Sequence, residues 1–388
     1  MGCANSTSAQ GATATDIQGE EYVEHNFGAR WEYPSPKVKL GEGAFSQVFL
    51  VINKKTKMRA AAKVMKKAKM SRDDVKAVYE EVRIMRQLQH PNIVKFIDVF
   101  DETDFMYVII EYLEGGALFD RVVKKDHYNE RDARDLVYIF LSSLKWCHDR
   151  DIIHRDIKPE NLLMSSTTDD AEVKVADFGL SIHLPDNKLC MHACGTPNYI
   201  APEMIFKTGY SKPVDMWAVG CIAFILLGGY LPFDTGDSSD DPHNNKLYAL
   251  IKSGKFEFNE DYWRHVSDEA KGLISGLLTV DPVKRLTVEQ ALDHPWVKRA
   301  GSELAARSLA HNLKNFKAFM ARRKFKAAVK GVIATNKFKH LIQSIGAAAK
   351  QENEDNAGTA NPLESAASLV GTSNFPPPPP SPQHLLLN

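Results

Sequence analysis

His154-Arg155-Asp156-Ile157-Lys158-Pro159-Glu160-Asn161 is the stretch on which the reading of this chain turns. Asp156 offers a carboxylate that can take a proton from a hydroxyl, Lys158 a cation beside it, and Asn161 an amide oxygen for a hard metal ion. Alone, such a run is an ordinary polar loop. Twenty-one residues after Asp156 stands Asp177-Phe178-Gly179, a second metal-ligating carboxylate, and Ala201-Pro202-Glu203 follows. Upstream lies Gly41-Glu42-Gly43-Ala44-Phe45-Ser46-Gln47-Val48, with Ser46 in place of a third glycine. Glycines admit phosphate oxygens close to the backbone because no Cβ intervenes. Alone that motif reads as a hairpin turn. Lys63, in Ala60-Ala61-Ala62-Lys63, and Glu81, eighteen residues further on, add a cation and the carboxylate to hold its stem. The whole set, in this order, predicts phosphoryl transfer rather than a chance collection of surface charges.

Element signals agree with that order. Strand-like alternation begins near Val38 and continues in Gln47 to Ile52, Arg59 to Met65 and Tyr107 to Tyr112. Val78, Val82, Met85 and Leu88 share one face of a helix over Val75 to Leu88, and from Asn129 onward the pattern is mostly helical. Strands with one helix, followed by helices, predict two lobes of different class. The apolar run Trp217 to Leu227 is about half of what a membrane span needs, so it reads as a buried core helix.

The motifs resemble the eukaryotic protein kinase family over roughly Tyr33 to Trp296. The resemblance implies a bilobal α+β fold, with a small β-rich lobe carrying one helix and a larger helical lobe. It implies ATP and Mg²⁺ as cofactors and Asp156, Lys158, Lys63 and Glu81 as catalytic residues, with Asn161 and Asp177 on the metal. By position it implies an ATP site of Leu40, Gly41, Gly43, Val48, Ala61, Lys63, Glu111, Leu113, Glu160 and Leu163, with Ile110 as gatekeeper. Asp215-Met216-Trp217-Ala218-Val219-Gly220 resembles the helix whose Asp supports the catalytic loop, and Arg285 resembles the ion-pair partner of Glu203. His294-Pro295-Trp296 resembles the end of the domain.

In wording, His90-Pro91-Asn92-Ile93-Val94, Gly115-Gly116-Ala117-Leu118-Phe119, Cys194-Gly195-Thr196-Pro197-Asn198 and Leu278 to Arg285 are similar to the calcium/calmodulin-dependent protein kinases. Lys158 and Thr196 mark Ser/Thr specificity within that resemblance. Asp120, Glu160, Asp234, Asp237, Asp240 and Asp241 would favour protein substrates with upstream basic residues. Ala117 stands where that family carries Glu, which weakens the preference, and the Asp cluster reads equally as a solvated loop. No Ser, Thr or Tyr lies between Ser181 and Thr196, and His192 stands where relatives carry a phosphorylated Thr, so no activation-loop switch is expected.

Lys314 to Lys339 holds nine Lys and Arg residues, no acidic residue, and aromatics between them. Phe325, Val329, Val332 and Phe338 share a broad helical face among cations, the pattern of a calmodulin target or a membrane-surface helix. Ala321-Arg322-Arg323-Lys324-Phe325-Lys326 resembles the calmodulin-binding stretch of the family, so calcium-calmodulin is the expected regulator. The segment from about Asn315 to Leu341 is expected to block the enzyme, and truncation near Gly301 to free it. Asn312 lies where some relatives carry an autophosphorylated Thr, so that form of calcium-independent activity is not expected.

The expected organisation is a disordered segment 1–32, a kinase domain 33–297, a regulatory segment 298–345 and a disordered Pro-containing tail 346–388. Met1-Gly2-Cys3-Ala4-Asn5-Ser6 matches the N-myristoylation pattern at Gly2. One acyl chain binds membranes marginally, and residues 7 to 29 contain no Lys or Arg, so Cys3 is the expected second, palmitoylated anchor. Those signals imply a cytoplasmic membrane face with a cytosolic pool. Phe375 to Pro380 offers a polyproline II ligand to an EVH1 or SH3 domain, though a plain flexible tail is the simpler reading. Formal net charge is zero, which predicts no nucleic-acid partner, and five cysteines without framework spacing predict reduced thiols. The rival reading from another class is a calmodulin-binding membrane scaffold with little activity. The intact set Lys63, Asp156, Asn161 and Asp177 argues against it.

Overall fold

The computed structural model describes residues 25–43, 46–186, 188–236 and 244–325. Six antiparallel strands form the small lobe: β1 (Trp31–Glu32), β2 (Lys39–Glu42), β3 (Ser46–Asn53), β4 (Arg59–Lys66), β5 (Phe96–Asp101) and β6 (Phe105–Glu111). They run in the order β1-β3-β4-β6-β5, with β2 also paired to β3. Val48, Lys63 and Val108 are register partners across β3, β4 and β6, so the pleat carries Lys63 on a rigid central strand. Strand β5 has no sequence signal as clear as the others, because Phe96-Ile-Asp-Val-Phe-Asp101 lacks clean alternation and its ends are only partly buried.

The four-residue helix α1 (Phe27–Arg30) precedes the sheet, and the 16-residue helix α2 (Arg72–Gln87) lies between β4 and β5 in the chain. Ser71 and Asp74 form a reciprocal capping box that starts α2, which then buries Val78, Glu81, Val82, Ile84 and Met85. The first element corrects the sequence reading, which placed all of 1–32 with the disordered segment. Phe27 stacks on Tyr107 with ring centroids 4.3 Å apart, and Trp31 is buried under the sheet. The Phe27 amide donates to Glu102, and Arg30 pairs with Asp98 at 2.7 Å. Two aromatics separated by three residues are too few for a periodic signal, yet they suffice to clip the chain to the lobe. Phe27→Ala should lower unfolding free energy by about 3 kcal/mol, the cost of emptying a buried aromatic site. An unchanged urea midpoint would show that the clip is not docked in solution.

The large lobe is built from α3 (Leu118–Lys124), α4 (Glu130–His148), α5 (Pro202–Phe206), α6 (Pro213–Gly228), α7 (Asn245–Ser253), α8 (Glu260–Trp263), α9 (Asp268–Leu277), α10 (Val288–Leu292), α11 (Pro295–Lys298) and α12 (Gly301–Ala305). Short pairs β7 (Ile152–Ile153) with β10 (Ile182–His183), and β8 (Leu162–Met164) with β9 (Val173–Val175), frame the loops at its upper edge. Every residue of α6 from Val214 to Gly228 is buried, as its apolar run predicts. No described helix is long and apolar enough to cross a membrane.

Residues 310–325 are helical, and this is the second departure from the expected boundaries. Leu309, Leu313, Phe316 and Met320 are buried against the large lobe, so the compact unit runs through Lys324 instead of ending near 297. Phe316 meets Phe119 at 5.2 Å. The Asn312 side chain donates to the carbonyls of Leu227 at 2.5 Å and Tyr262 at 2.7 Å, and Asn315 donates to Gly228 at 3.2 Å. Those to Leu227 and Gly228 satisfy carbonyls at the end of α6, and that to Tyr262 ties in α8 (Glu260–Trp263). Gly229 permits the approach: its φ is 81°, and a Cβ there would lie 2.8 Å from the Asn312 carbonyl oxygen and the Phe316 nitrogen.

Candidate active site

Lys63 projects from β4 and meets Glu81 of α2 at 2.7 and 2.8 Å. Burial opposes the Lys63 ammonium, but the Glu81 carboxylate and the Asp177 charge outweigh it and hold its pKa above the ordinary lysine value. A Cβ at Gly179 would lie 3.2 Å from Asp177 Oδ1, 3.3 Å from Lys63 Nζ and 3.6 Å from Glu81 Oε2, so the three charged groups converge on one small volume. Phe178 is fully buried with its ring centroid 4.8 Å from that of His154. That contact anchors the loop bearing Asp177, whose φ is 62°.

The loop 154–161 is held from below. The Asp215 carboxylate accepts from the amides of His154 and Arg155 at 2.9 Å each, and lies 2.9 Å from His148 Nε2. Burial alone would raise the Asp215 pKa, yet the His148 hydrogen bond, the histidine charges and the His154 amide keep it below the usual carboxylate range. The brace by Asp215 was legible in the sequence; His148 was not, because a lone histidine at a helix end carries no motif.

At the top of the loop, Asp156 Oδ1 accepts from the Thr196 hydroxyl at 2.8 Å, Lys158 pairs with Asp156 Oδ2, and Lys158 Nζ also donates to Thr196 at 3.2 Å. Asn161 Nδ2 donates to the Asp156 carbonyl at 2.9 Å, which leaves its amide oxygen for a cation. Asp156 and Asn161 are both about 6% exposed, so their chemistry is directed rather than solvated. Glu203 and Arg285 form the expected buried bidentate pair at 2.7 and 2.8 Å. It fixes the segment 196–203 that carries Thr196.

The residues suit ATP and Mg²⁺. Gly41 pairs with Val48 in the β2–β3 hairpin, and a Cβ there would find nothing within 4 Å, an open cradle above the site. At Gly43 a Cβ would lie 2.8 Å from Ser46 Oγ, so a side chain there would have to turn the Ser46 hydroxyl aside. Leu40 is in β2, and Val48, Ala61 and Leu163 lie on β3, β4 and β8; Ala61 pairs with Ile110. Glu111 closes β6 and its side chain accepts from the Lys95 amide at 2.6 Å, which fixes the connection leading to Leu113. Mg²⁺ would sit on Asp177 and the Asn161 oxygen and neutralise charge on the phosphates.

Glu160 is occupied differently from the implied nucleotide contact. It is ion-paired with Arg323 of the helix 310–325, whose guanidinium also reaches the Tyr199 hydroxyl at 3.5 Å. Lys324 pairs with Asp120 at 2.8 Å. Asp237, Asp240 and Asp241 lie outside the described residues, as do Val329, Val332, Phe338, Gly2, Cys3 and the Pro-containing tail. Phe325, the first of the apolar anchors, is 71% exposed.

A two-lobed fold with a Lys–Glu pair in one lobe and a braced Asp, Asn and Lys in the other defines a nucleotide-dependent phosphotransferase. The protein kinase domain family matches residues 35–297, and the chain belongs to it. It is 39% identical over 343 residues to a calcium/calmodulin-dependent protein kinase type II of Caenorhabditis elegans, covering 88% of this chain and 46% of that protein. It is 44% identical over 266 residues to myosin light chain kinase A of Dictyostelium discoideum, covering 69% of this chain and 88% of the other. A calcium/calmodulin-dependent protein kinase type 1 of Macrobrachium nipponense is 43% identical over 279 residues, covering 71% and 78%. The chain thus spans about half the length of the type II relative. The type II and type 1 relatives are calcium/calmodulin-dependent protein kinases, and the third is a myosin light chain kinase.

Proposed function

We propose that this chain is an ATP- and Mg²⁺-dependent Ser/Thr protein kinase, held off by its own helix 310–325 and released by calcium-calmodulin. The observation that carries the regulatory half is Arg323 on Glu160, beside Asp156, with Lys324 on Asp120. A protein substrate with upstream basic residues would need the same carboxylates, so the helix occupies the ground on which such a substrate would dock. In the reaction, Asp156 would orient the substrate hydroxyl and accept its proton, while Lys158 and Lys63 would hold phosphate charge.

Magnitudes decide how release would work. Burying Leu309, Leu313, Phe316 and Met320 stabilises the first half of the helix by roughly 1.5–3 kcal/mol per side chain. The ion pairs of Arg323 and Lys324 are partly exposed and contribute about 0–1 kcal/mol each. Calmodulin would therefore peel the basic end from the catalytic loop by seizing Phe325 and the apolar face beyond it, leaving the packed half in place. Its effect is bounded by its differential affinity for the docked and undocked states.

Activity should not need an activation-loop phosphate, since His192 replaces a Thr there. Protein made in bacteria should phosphorylate a basic peptide once calcium-calmodulin is added and stay quiet without it. Equal incorporation of label with and without calcium-calmodulin would refute the regulation, and no incorporation in either case would refute the kinase.

We further propose lipid anchoring at Gly2 and Cys3 to a cytoplasmic membrane face. Gly2→Ala should move the protein to the soluble fraction, and Cys3→Ser should leave weak, reversible binding of the kind one acyl chain supports. Membrane pelleting of the Gly2→Ala protein would show that the basic helix is the anchor.

A further inference from the structure

Two cysteines in the segment before Thr196 take no part in the chemistry above, yet they lie near Arg155, a catalytic-loop cation whose side chain has no acidic partner among the described residues. Arg155 is partly buried next to Asp156. Among the described residues its side chain donates to the Leu180 carbonyl at 2.5 Å, the Tyr210 hydroxyl at 3.0 Å and the Cys190 sulfur at 3.5 Å. A carbonyl, a phenol and a thiol are all neutral partners. A guanidinium withdrawn from water among neutral groups keeps an uncompensated charge, and an anion placed beside it gains more than it would at the surface. Cys194 lies 3.9 Å from the oxygen of the same phenol, and burial pushes its thiol pKa up. Cys190 is partly exposed, and its backbone is fixed by paired hydrogen bonds to Tyr210 at 2.9 and 3.0 Å.

We propose that Cys190 is an oxidation site whose oxidised sulfur supplies the anion that Arg155 binds. The thiolate attacks one oxygen of a hydroperoxide. The S–O bond forms, the O–O bond breaks, sulfur loses two electrons, and the departing alkoxide or hydroxide takes the thiol proton. Net, the thiol and hydroperoxide give a sulfenic acid and an alcohol or water. A second equivalent gives the sulfinate, which is ionised at neutral pH and further along the oxidation ladder. Arg155 favours the reaction by its place: its guanidinium, 3.5 Å from the sulfur, faces the negative charge of the attacking sulfur and then pairs with the oxygen added. The pairing ties residues 190–192 to the catalytic loop at the edge of the substrate ground, and would therefore tighten binding of a protein substrate.

The test treats the purified full-length protein with hydrogen peroxide, traps sulfenic acid with dimedone and maps adducts by mass spectrometry. Cys190 should be labelled at least about fivefold faster than Cys194, Cys147 and Cys221, because reactivity follows thiolate character and access. Arg155→Gln should remove that advantage. With calcium-calmodulin present, peroxide should lower the peptide KM of the wild type about threefold, a gain of the size expected for one partly exposed ion pair. It should leave Cys190→Ser unchanged. Labelling of Cys190 no faster than the buried thiols, an equal KM response in Cys190→Ser, or a Cys190–Cys194 disulfide as the sole product would each overturn the proposal. The disulfide would do so because it leaves no anion for Arg155.

Discussion

Replacing Asp156 with Asn should lower kcat by about 10²–10⁴-fold while leaving the fold intact, the range lost when a positioned proton acceptor is removed. Asn keeps the shape of the side chain and an oxygen for the Thr196 hydroxyl, which now sits 2.8 Å from Asp156 Oδ1. It loses the charge that orients a substrate hydroxyl and holds Lys158. Lys63→Met should be equally severe for a different reason. It removes the cation proposed to hold phosphate charge and leaves Glu81, only 6% exposed, without its partner. Apparent ATP affinity should therefore fall with Lys63→Met, while Asp156→Asn should bind nucleotide nearly as the wild type does. Near wild-type turnover by purified, folded Asp156→Asn protein would sink the assignment of the site.

The second large effect concerns the helix 310–325. Ending the chain after Met320 should raise activity without calcium-calmodulin about tenfold or more, equivalent to removing a bias of at least 1.4 kcal/mol. That cut discards Arg323 and Lys324 but keeps Leu309, Leu313, Phe316 and Met320 in the large lobe. Truncation near Gly301, the cut suggested by motif boundaries, is a poor test. It would strip the fully buried Leu304 and uncover Phe119 and the end of α6, where Asn312 and Asn315 cap carbonyls. Loss of activity in that shorter protein would report unfolding rather than regulation. If the protein ending at Met320 is no more active than the whole chain without calcium, autoinhibition is wrong and the basic stretch serves another partner.

The charge pattern of this helix was legible in the sequence, but its division of labour was not. Asn312 had no apparent role beyond replacing a Thr, and the structure makes it a cap for α6. The apolar face seen in the sequence began at Phe325, while the docked face ends at Met320. Two apolar stripes that follow one another along the chain look alike in periodicity, and only the neighbouring surface shows that the first is docked.

What the sequence by itself determined is the set of candidate site residues and its order along the chain. Lys63, Glu81, Asp156, Lys158, Asn161 and Asp177 are residue types with few substitutes, set in motifs whose glycines and prolines constrain the backbone locally. The strand that carries Lys63 and the helix that carries Glu81 could be read from short-range periodicity. Tertiary structure alone decided the contacts between segments far apart in the chain. Phe27 against Tyr107, His148 on Asp215, Arg155 among Cys190 and Tyr210, and Arg323 on Glu160 join residues that share no motif. Each arises where packing of the two lobes and the helix 310–325 brings a cation, a ring or a thiol to a neighbour, and no local pattern encodes such a meeting.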